Sequence, residues 1–306
     1  MYLRDVIRKG VEALSPLYPE REAREMVFAF LEHTLGTKRH THVIEPEYEV
    51  GAEEASAALT AFDRMASGEP LQYVTGIADF YGRQFRVTPD VLIPRPETEL
   101  LCRNVLDMLS GSAGSQKTRI LDLCTGSGCI AWTLALELPG SEVTAVDISD
   151  GALEIAACQD FTDEMFLSGA LAPDFVKADI LSPEISLCHP ERSEGSFPSH
   201  FDILVSNPPY VMESEKALMR PNVLDHEPHL ALFVSDEDPL IFYRAVAEWA
   251  LQLLRPGGYG IVEINEALAS GTEDIYRAVD FIDVHTIKDL NDKDRFVFFR
   301  KSDVPR

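Results

Sequence analysis

The chain has 306 residues, of which 45% are apolar, and this is enough for a sizeable core and for two domains. Its 51 acidic and 27 basic residues leave a formal net charge of −24, so the surface should repel phosphate backbones, which disfavours duplex nucleic acid as a partner. The five cysteines contain no CxxC pair and no apolar run approaches the roughly 20 residues of a membrane span, which argues against a disulfide framework, a zinc cage and a membrane protein, and favours the cytoplasm.

Residues 1–72 are predicted to form a small helical domain. Apolar side chains recur at helical spacing over residues 2–14, 20–35 and 53–67. Ser15 and Pro16 stop the first predicted helix, and Gly36 and Gly68 end the other two. The pattern then changes to short β-type runs with turn glycines, which predicts a β-hairpin linker over residues 73–93.

Residues 94–306 predict an α/β domain. Apolar strand-like runs alternate with helix-length segments, so the strands should pair in parallel with helices on both faces of the sheet. The predicted strands are residues 119–123, 142–147, 174–178, 201–206, 258–265, 281–287 and 295–300, and the last two should pair antiparallel. GSAGSQ at residues 111–116 and the stretch 181–200 predict surface loops.

A glycine turn follows the first predicted strand, in the stretch ILDLCTGSGCIAWTLAL. Gly126 and Gly128 would let the backbone approach a nucleotide, and Asp147, about 20 residues further on, would bind ribose hydroxyls. Asp122 places another acid near the same cavity. Since neither GxGxxG nor a Lys-Ser/Thr phosphate cradle is present, a nucleoside without a polyphosphate, such as S-adenosylmethionine, is favoured. The alternative is a turn that only packs a helix against a strand.

Three segments, ILDLCTGSGCIA, AVDIS and VSNPPY, together resemble the class I S-adenosylmethionine-dependent methyltransferases that modify a planar amide or amine nitrogen. The lone pair of such a nitrogen is delocalised, so transfer depends on positioning it and on accepting its N–H bonds. Asn207 offers its side-chain oxygen and Pro208 its carbonyl, and the two prolines hold these acceptors in place. Tyr210 would supply an aromatic wall. The alternative is a rigid turn that closes a strand.

A longer segment, FYGRQFRVTPDVLIPRPETELL at residues 80–101, closely resembles the PrmC/HemK family when taken with the helical N-terminal domain. This family consists of protein-(glutamine-N5) methyltransferases that modify the glutamine of the GGQ loop in class-1 peptide chain release factors. The stretch DHEPHLALF at residues 225–233 and the C-terminal hairpin are also similar to the family. The resemblance therefore implies S-adenosyl-L-methionine as cofactor, release factors as partners, and a helical domain that selects the protein substrate.

The resemblance also implies site residues. The cofactor would lie against Cys124, Thr125, Gly126, Ser127, Gly128, Asp147, Asp179, Ile180 and Asn207. The glutamine amide would lie against Asn207, Pro208, Pro209 and Tyr210, of which Asn207, Pro208 and Tyr210 would be catalytic. The family usually has glycine where this chain has Cys124. Arg95, Glu97 and Thr98 open a helix and would shape the methionine end of the cofactor. The alternative for this segment is structural, with Pro94 and Pro96 as ordinary residues at the start of a helix.

Two other functions are compatible with parts of this pattern. DNA and RNA adenine or guanine N-methyltransferases also use an NPPY-type tetrad, although the net charge and residues 80–101 argue against them. A catalytically silent binding module that keeps the fold is the second alternative, supported by Cys124 alone. Pairs of histidines, such as His226 and His229, lack the accompanying ligands of a recognised metal spacing, so no metal is expected.

Overall fold

The computed structural model describes residues 1–110, 117–182 and 200–303. The chain divides into two compact units: a helical unit of residues Met1–Ile77 with Met219–Glu227, and a sheet unit of residues Ala78–Leu218 with Pro228–Arg306. The loop predicted at residues 111–116 and residues 183–199 of the second predicted loop lie outside the described residues.

The helices and strands have the following bounds. The α-helices are α1 Leu3–Leu14, α2 Glu20–Leu35, α3 Thr41–Ile44, α4 Ala52–Ala66, α5 Leu71–Thr75, α6 Pro96–Leu109, α7 Cys129–Glu137, α8 Asp150–Ala157, α9 Thr162–Ser168, α10 Pro221–Leu224, α11 His229–Leu232, α12 Ile241–Leu253 and α13 Ala269–Ala278. The strands are β1 Ile77–Phe80, β2 Arg83–Arg86, β3 Arg119–Leu123, β4 Glu142–Asp147, β5 Asp174–Lys177, β6 Phe201–Ser206, β7 Val211–Met212, β8 Phe233–Val234, β9 Leu254–Glu263, β10 Ile282–Lys288 and β11 Asp294–Arg300. Short 3-10 helices span Glu213–Leu218 and Glu266–Leu268.

The helical unit has its own apolar core, which α1, α2 and α4 supply. The buried residues of α1 recur at helical spacing and pack against side chains of α2 and α4. Gly10 permits this packing, because a Cβ there would stand 2.7 Å from the Phe62 ring and 2.8 Å from Val27. The three predicted helices are confirmed, with bounds that differ by one residue at α1 and α4. No described helix is both long enough and apolar enough to cross a membrane.

The hairpin is shorter than its predicted range of 73–93. Residues Leu71–Thr75 form a helix where β-type runs were predicted, because Leu71 and Val74, three residues apart, pack on the helical core. Gly76 ends this helix in the left-handed conformation, with φ +77°. The hairpin itself consists of β1 and β2, so tertiary packing overrides a β-like local pattern in the first residues of the range.

Seven strands of the described chain form one sheet in the order β10-β11-β9-β6-β3-β4-β5. Strands β9, β6, β3, β4 and β5 are parallel, whereas β11 is antiparallel to both β9 and β10. Predicted strand ends are wrong mainly at β9, which begins at Leu254 and stops before Asn265. The side chain of Asn265 accepts a hydrogen bond from the N–H of Ala267 and so starts a 3-10 turn instead.

Two apolar layers cover the sheet. Neighbouring strand residues alternate between them, so Ile120 packs with side chains of α6 and α7, whereas Leu121 packs with side chains of α12 and α13. The predicted parallel α/β sheet with helices on both faces is therefore confirmed. In chain order β4 lies on one side of β3 and β6 on the other, and a crevice opens at such a change of direction, at the carboxyl ends of the strands.

Candidate active site

A cavity of about 320 Å³ lies at the carboxyl ends of β3, β4 and β6. Most of the predicted cofactor residues line it. Those that do are Cys124, Thr125, Gly126, Ser127, Asp147, Asp179, Ile180 and Asn207, together with Pro209 of the predicted substrate site and with Arg95 and Thr98, which were predicted at the methionine end of the cofactor. Gly128, Pro208 and Tyr210 are not among the lining residues, so the roles predicted for these three have no direct counterpart in the cavity wall.

Asp147 is bonded directly to the glycine turn. Its Oδ2 accepts a hydrogen bond from the N–H of Gly126 at 2.8 Å, and its Oδ1 accepts one from the N–H of Ser149 at 3.0 Å. Burial raises the pKa of the Asp147 carboxyl, while the bonds from Ser149 and Gly126 oppose the rise. Each carboxylate oxygen has a second lone pair, so both can still accept a hydrogen bond from a hydroxyl of a ligand in the cavity.

The two glycines of the turn do different things. Gly126 has φ +54° and would carry a Cβ into open space, so only its backbone conformation requires glycine. Gly128 has φ +78° and caps α7, and a Cβ there would lie 3.0 Å from the Cβ of Ala156 and 3.2 Å from Cδ1 of Trp132. Gly128 thus allows α7 and α8 to approach each other closely. Its predicted contact with a cofactor stays a prediction.

Asp122 lies beneath the turn and does not line the cavity. It is fully buried and accepts a 2.6 Å hydrogen bond from the hydroxyl of Thr125. Burial raises its pKa to about 7, an effect that the Thr125 bond opposes. Asp122 therefore supports the turn from below. The expectation of a second acid beside the ligand is not met at this position.

Cys124 lines the cavity in a left-handed conformation, with φ +61°. This conformation is sterically strained for an L-residue with a Cβ, whereas glycine adopts it without strain. The position therefore has the backbone geometry that suits the glycine expected from the family resemblance, but it carries a thiol that packs against the apolar layer on the α12 side of the sheet.

Asn207 is held at the end of β6 by a polar chain that the sequence did not reveal. Its side-chain Nδ2 donates to the hydroxyl of Thr98 at 3.2 Å, and that hydroxyl donates to Oε2 of Glu263 at 2.8 Å. The other oxygen of Glu263, Oε1, accepts a hydrogen bond from the hydroxyl of Tyr210 at 3.0 Å. Glu263 is only 1% exposed. A weak signal exists in the sequence, since GIVEIN puts a carboxylate at the end of an otherwise apolar strand.

The side chain of Tyr210 does not line the cavity. It packs with the apolar layer that contains α12, and its hydroxyl is bonded to Glu263. Burial raises the pKa of the Tyr210 hydroxyl, and the neighbouring Glu263 adds to the rise. The hydroxyl therefore stays protonated and serves as a donor. An aromatic wall at the cavity stays a prediction.

The cavity lining suits a cationic nucleoside better than a polyphosphate. Three carboxylates line it, from Asp90, Asp147 and Asp179, against the single guanidinium of Arg95 among the described residues. Negative charge of this kind repels phosphates and attracts a sulfonium. Apolar side chains complete the wall, and sequence reasoning missed those at Val91, Leu92, Ile148, Leu230 and Phe242. The described residues include no group of three or more His, Cys, Asp or Glu arranged to hold a metal ion.

Comparisons with known proteins match both parts of the chain. Residues 5–76 match a family model described as PrmC N-terminal domain, and residues 97–226 match one described as methyltransferase small domain. A release factor glutamine methyltransferase of Bacteroides thetaiotaomicron is 38% identical over 289 residues, covering 94% of this chain and 95% of the relative. Another, of Koribacter versatilis, is 40% identical over 297 residues, covering 97% and 96%.

A solved structure supports the fold. The hMettl16 catalytic domain in complex with MAT2A 3′UTR hairpin 6, a human protein, has a TM-score of 0.50 at 17% identity, covering 83% of each chain. At that identity the likeness concerns the fold alone. The expected class I methyltransferase sheet is confirmed.

Proposed function

Since the chain belongs to the release factor glutamine methyltransferase family, we propose that residues 207–210 orient the amide of a release factor glutamine beside the cavity. The protein is an S-adenosyl-L-methionine-dependent protein-(glutamine-N5) methyltransferase. The proposal concerns the residues that carry the reaction, the GGQ loop of class-1 release factors as the substrate, and the cytoplasm as the place of action.

The orientation of the Asn207 amide is the observation that carries this proposal. Its NH2 group is engaged by Thr98, which leaves Oδ1 as an acceptor at the edge of the cavity. A glutamine amide is a weak nucleophile because its lone pair is conjugated with its carbonyl. An acceptor for one N–H and the carbonyl of Pro208 for the other would fix the nitrogen in the orientation needed for in-line attack, about 3 to 3.5 Å from the electrophile.

S-adenosyl-L-methionine supplies a methyl group on a sulfonium, so the glutamine nitrogen forms the new N–C bond while the C–S bond breaks and its electron pair stays on sulfur. The nitrogen loses a proton to solvent after attack, and no general base is needed before it. In this proposal Asp147 accepts the ribose hydroxyls, while Asp179 and Ile180 bind the base. The carboxylates of the cavity favour the positive charge of the sulfonium over the neutral thioether product.

The partner is proposed on chemical grounds. A release factor that contacts ribosomal RNA should expose basic patches, and a chain with a net charge of −24 attracts such a surface. Turnover on the release factor should therefore fall as ionic strength rises between about 50 and 300 mM. Turnover that stays constant over this range would contradict the electrostatic part of the proposal.

Mass spectrometry of a purified release factor tests the function. After incubation with the enzyme and labelled cofactor, we expect one methyl group on the glutamine of the GGQ loop. A release factor with that glutamine replaced by alanine serves as the control and should gain no label. Label transferred to DNA or RNA instead would support the alternative function, a nucleic acid N-methyltransferase. Cofactor binding without transfer to any substrate would support a silent binding module.

A further inference from the structure

Glu263 is the buried end of a hydrogen-bonded chain that reaches Asn207. The chain joins elements that lie far apart in sequence: the start of α6 at Thr98, the residues after β6 at Asn207 and Tyr210, and the end of β9 at Glu263. Glu263 is 1% exposed and Thr98 is 2% exposed, so water has little access to these groups and each must find its partner within the protein.

The direction of each bond follows from the number of protons available. The Thr98 hydroxyl can donate one hydrogen bond, and it donates this bond to Oε2 of Glu263 at 2.8 Å. Its oxygen can then only accept, and the group of Asn207 that can donate is its NH2. The amide oxygen of Asn207 must therefore point the other way. A carboxylate two hydrogen bonds distant thus decides which end of the Asn207 amide is offered to a substrate.

We propose that Glu263, acting through Thr98, is a positioning residue that holds the Asn207 amide with its oxygen toward the substrate glutamine. The inference rests on the proposed function, in which that oxygen accepts a substrate N–H. Tyr210 donates to the other carboxylate oxygen, so Glu263 also fixes the far end of the 207–210 corner. Glu263 itself touches no substrate.

The charge state of Glu263 is central to this role. Burial raises the pKa of its carboxyl, while the bonds from Thr98 and Tyr210 and the nearby Arg295 lower it, and the net direction is upward. The charged and titratable groups that face it are Glu97, Cys129, Tyr210, Tyr243 and Arg295. When Glu263 takes up a proton it becomes a donor, Thr98 can turn its own proton toward Asn207, and the amide loses its unique orientation.

Paired variants test the proposal on the full chain. Glu263→Gln keeps the volume but replaces one of the two acceptor oxygens by a donating NH2 group. Thr98→Val keeps the shape without a hydroxyl. We expect each to lower kcat on the release factor by about tenfold or more, while KM and the cofactor dissociation constant stay within about threefold. Thr98→Ser should recover most of the turnover that Thr98→Val loses. Turnover within about twofold of wild type in Thr98→Val would overturn the proposal.

A control excludes a general effect on the core. Thr133 in α7 is also fully buried, and its hydroxyl has no hydrogen-bond partner among the described residues. Thr133→Val should leave turnover unchanged, and an equal loss in this variant would overturn the positioning role. If Glu263→Gln does not fold, the Thr98 pair still decides the matter.

Two further measurements separate positioning from simple stability. The ratio of kcat between wild type and Glu263→Gln should be largest at alkaline pH and should shrink as the pH falls and Glu263 takes up a proton. A ratio independent of pH would contradict the role of the carboxylate. In protein labelled with ¹⁵N-asparagine, the Asn207 side-chain resonance, identified by its loss in Asn207→Asp, should move in Glu263→Gln and Thr98→Val and stay in place in Thr133→Val.

The spectrum also separates the two levels of the proposal. If the wild type transfers no methyl to the release factor, the proposed function fails, yet the Asn207 resonance still reports whether Glu263 orients the amide. If methyl transfer occurs and the resonance is unaffected by Glu263→Gln and Thr98→Val, the proposed function stands and the positioning role is overturned.

Discussion

The glycine turn of residues 124–128 and the corner of residues 207–210 lie beside one cavity but are built differently. Hydrogen bonds between residues near each other in sequence hold the turn. Thr125 is bonded to Asp122, 3 positions away, and Gly126 to Asp147, 21 positions away. The corner closes with Tyr210 to Glu263, 53 positions apart, and Thr98 to Glu263, 165 positions apart. The turn thus presents backbone groups for binding, and the corner presents one side-chain oxygen whose direction depends on distant elements.

This difference predicts separable effects. Substitutions in the turn should change cofactor affinity or local stability, whereas substitutions in the corner should change turnover at saturating cofactor. A variant that changes cofactor affinity and turnover to the same extent would contradict this distinction between the turn and the corner.

The largest effect is expected for Asn207→Ala, which removes the oxygen at the corner. Turnover should fall on the order of 100-fold or more, while cofactor affinity stays within about tenfold, because the lost acceptor acts on the transition state. Steady-state kinetics together with calorimetric titration of the cofactor measure both. Asn104→Ala, which removes an asparagine bonded to the Leu100 carbonyl in α6, is the matched control. Near-normal turnover in Asn207→Ala would contradict the role of Asn207.

The next effect concerns stability beneath the turn. Asp122 has a pKa of about 7 in the folded chain and about 3.8 when unfolded, so between these values the native state holds a proton that the unfolded state releases. Its contribution to stability is present at low pH and is lost as pH rises toward 7, by up to about 1.4 kcal/mol per pH unit. Relative to Asp122→Asn, the free energy of unfolding of the wild type should fall by roughly 2 kcal/mol between pH 5 and 7.

Urea unfolding followed by tryptophan fluorescence measures this difference, because Trp132 and Trp249 both lie in the sheet unit. Glu263 is present in both variants, so its own titration cancels in the comparison. The charge of Asp147 raises the pKa of Asp122, so the measured difference includes this interaction between the two carboxyls. Parallel pH profiles for wild type and Asp122→Asn would show that Asp122 is ionised throughout.

A smaller effect is expected for Asp147→Asn. The side-chain NH2 group of the new asparagine can only donate, so it cannot accept the hydrogen bond of a backbone N–H or of a ligand hydroxyl. Cofactor affinity should therefore fall about tenfold, or about 1.4 kcal/mol. Turnover at saturating cofactor should stay within about threefold of wild type. Asp150→Asn, three residues further on at the start of α8 and exposed, should change neither. A turnover defect without loss of affinity would place Asp147 with the corner.

The smallest effect is expected at Cys124. Glycine adopts the φ of +61° found there without strain, whereas alanine keeps the strain and loses the sulfur. Cys124→Gly should therefore be more stable than Cys124→Ala by roughly 0.5 to 1 kcal/mol, after allowing for the greater freedom of glycine in the unfolded chain. Urea unfolding of both variants measures the difference, and equal stabilities would mean that the turn relaxes around the side chain.

Much of the fold could be predicted because its signals are local. The strands β3, β4 and β6 were predicted with their observed bounds, since each is a short apolar run between turn residues. The helix Leu71–Thr75 could not be predicted from its local pattern, which is typical of a strand. The segment is helical because its side chains pack on the core of the helical unit, and residues distant in sequence form that core. The same limit applies to the end of β9, where Asn265 binds its own backbone.

The site was predictable where chemistry follows from spacing. Gly126 and Asp147 stand about 20 positions apart, and the parallel strands before them bring both to one edge of the sheet. Glu263 was missed because a glutamate in a strand is usually a solvated residue, and burial alone makes it a partner for Thr98 and Tyr210. Asp122 was placed at the cavity because strand ends converge there, yet its side chain lies under the turn.

The amino-acid order alone determined the succession of strands and helices, the glycine turn and the rigid proline corner, because these depend on backbone preferences and on apolar spacing within short windows. Only the tertiary structure decided which way the Asn207 amide faces and which side chains are buried with it. Those outcomes depend on hydrogen bonds between side chains more than a hundred positions apart in sequence, Asn207 to Thr98 and Thr98 to Glu263. A local sequence pattern carries no information about such contacts.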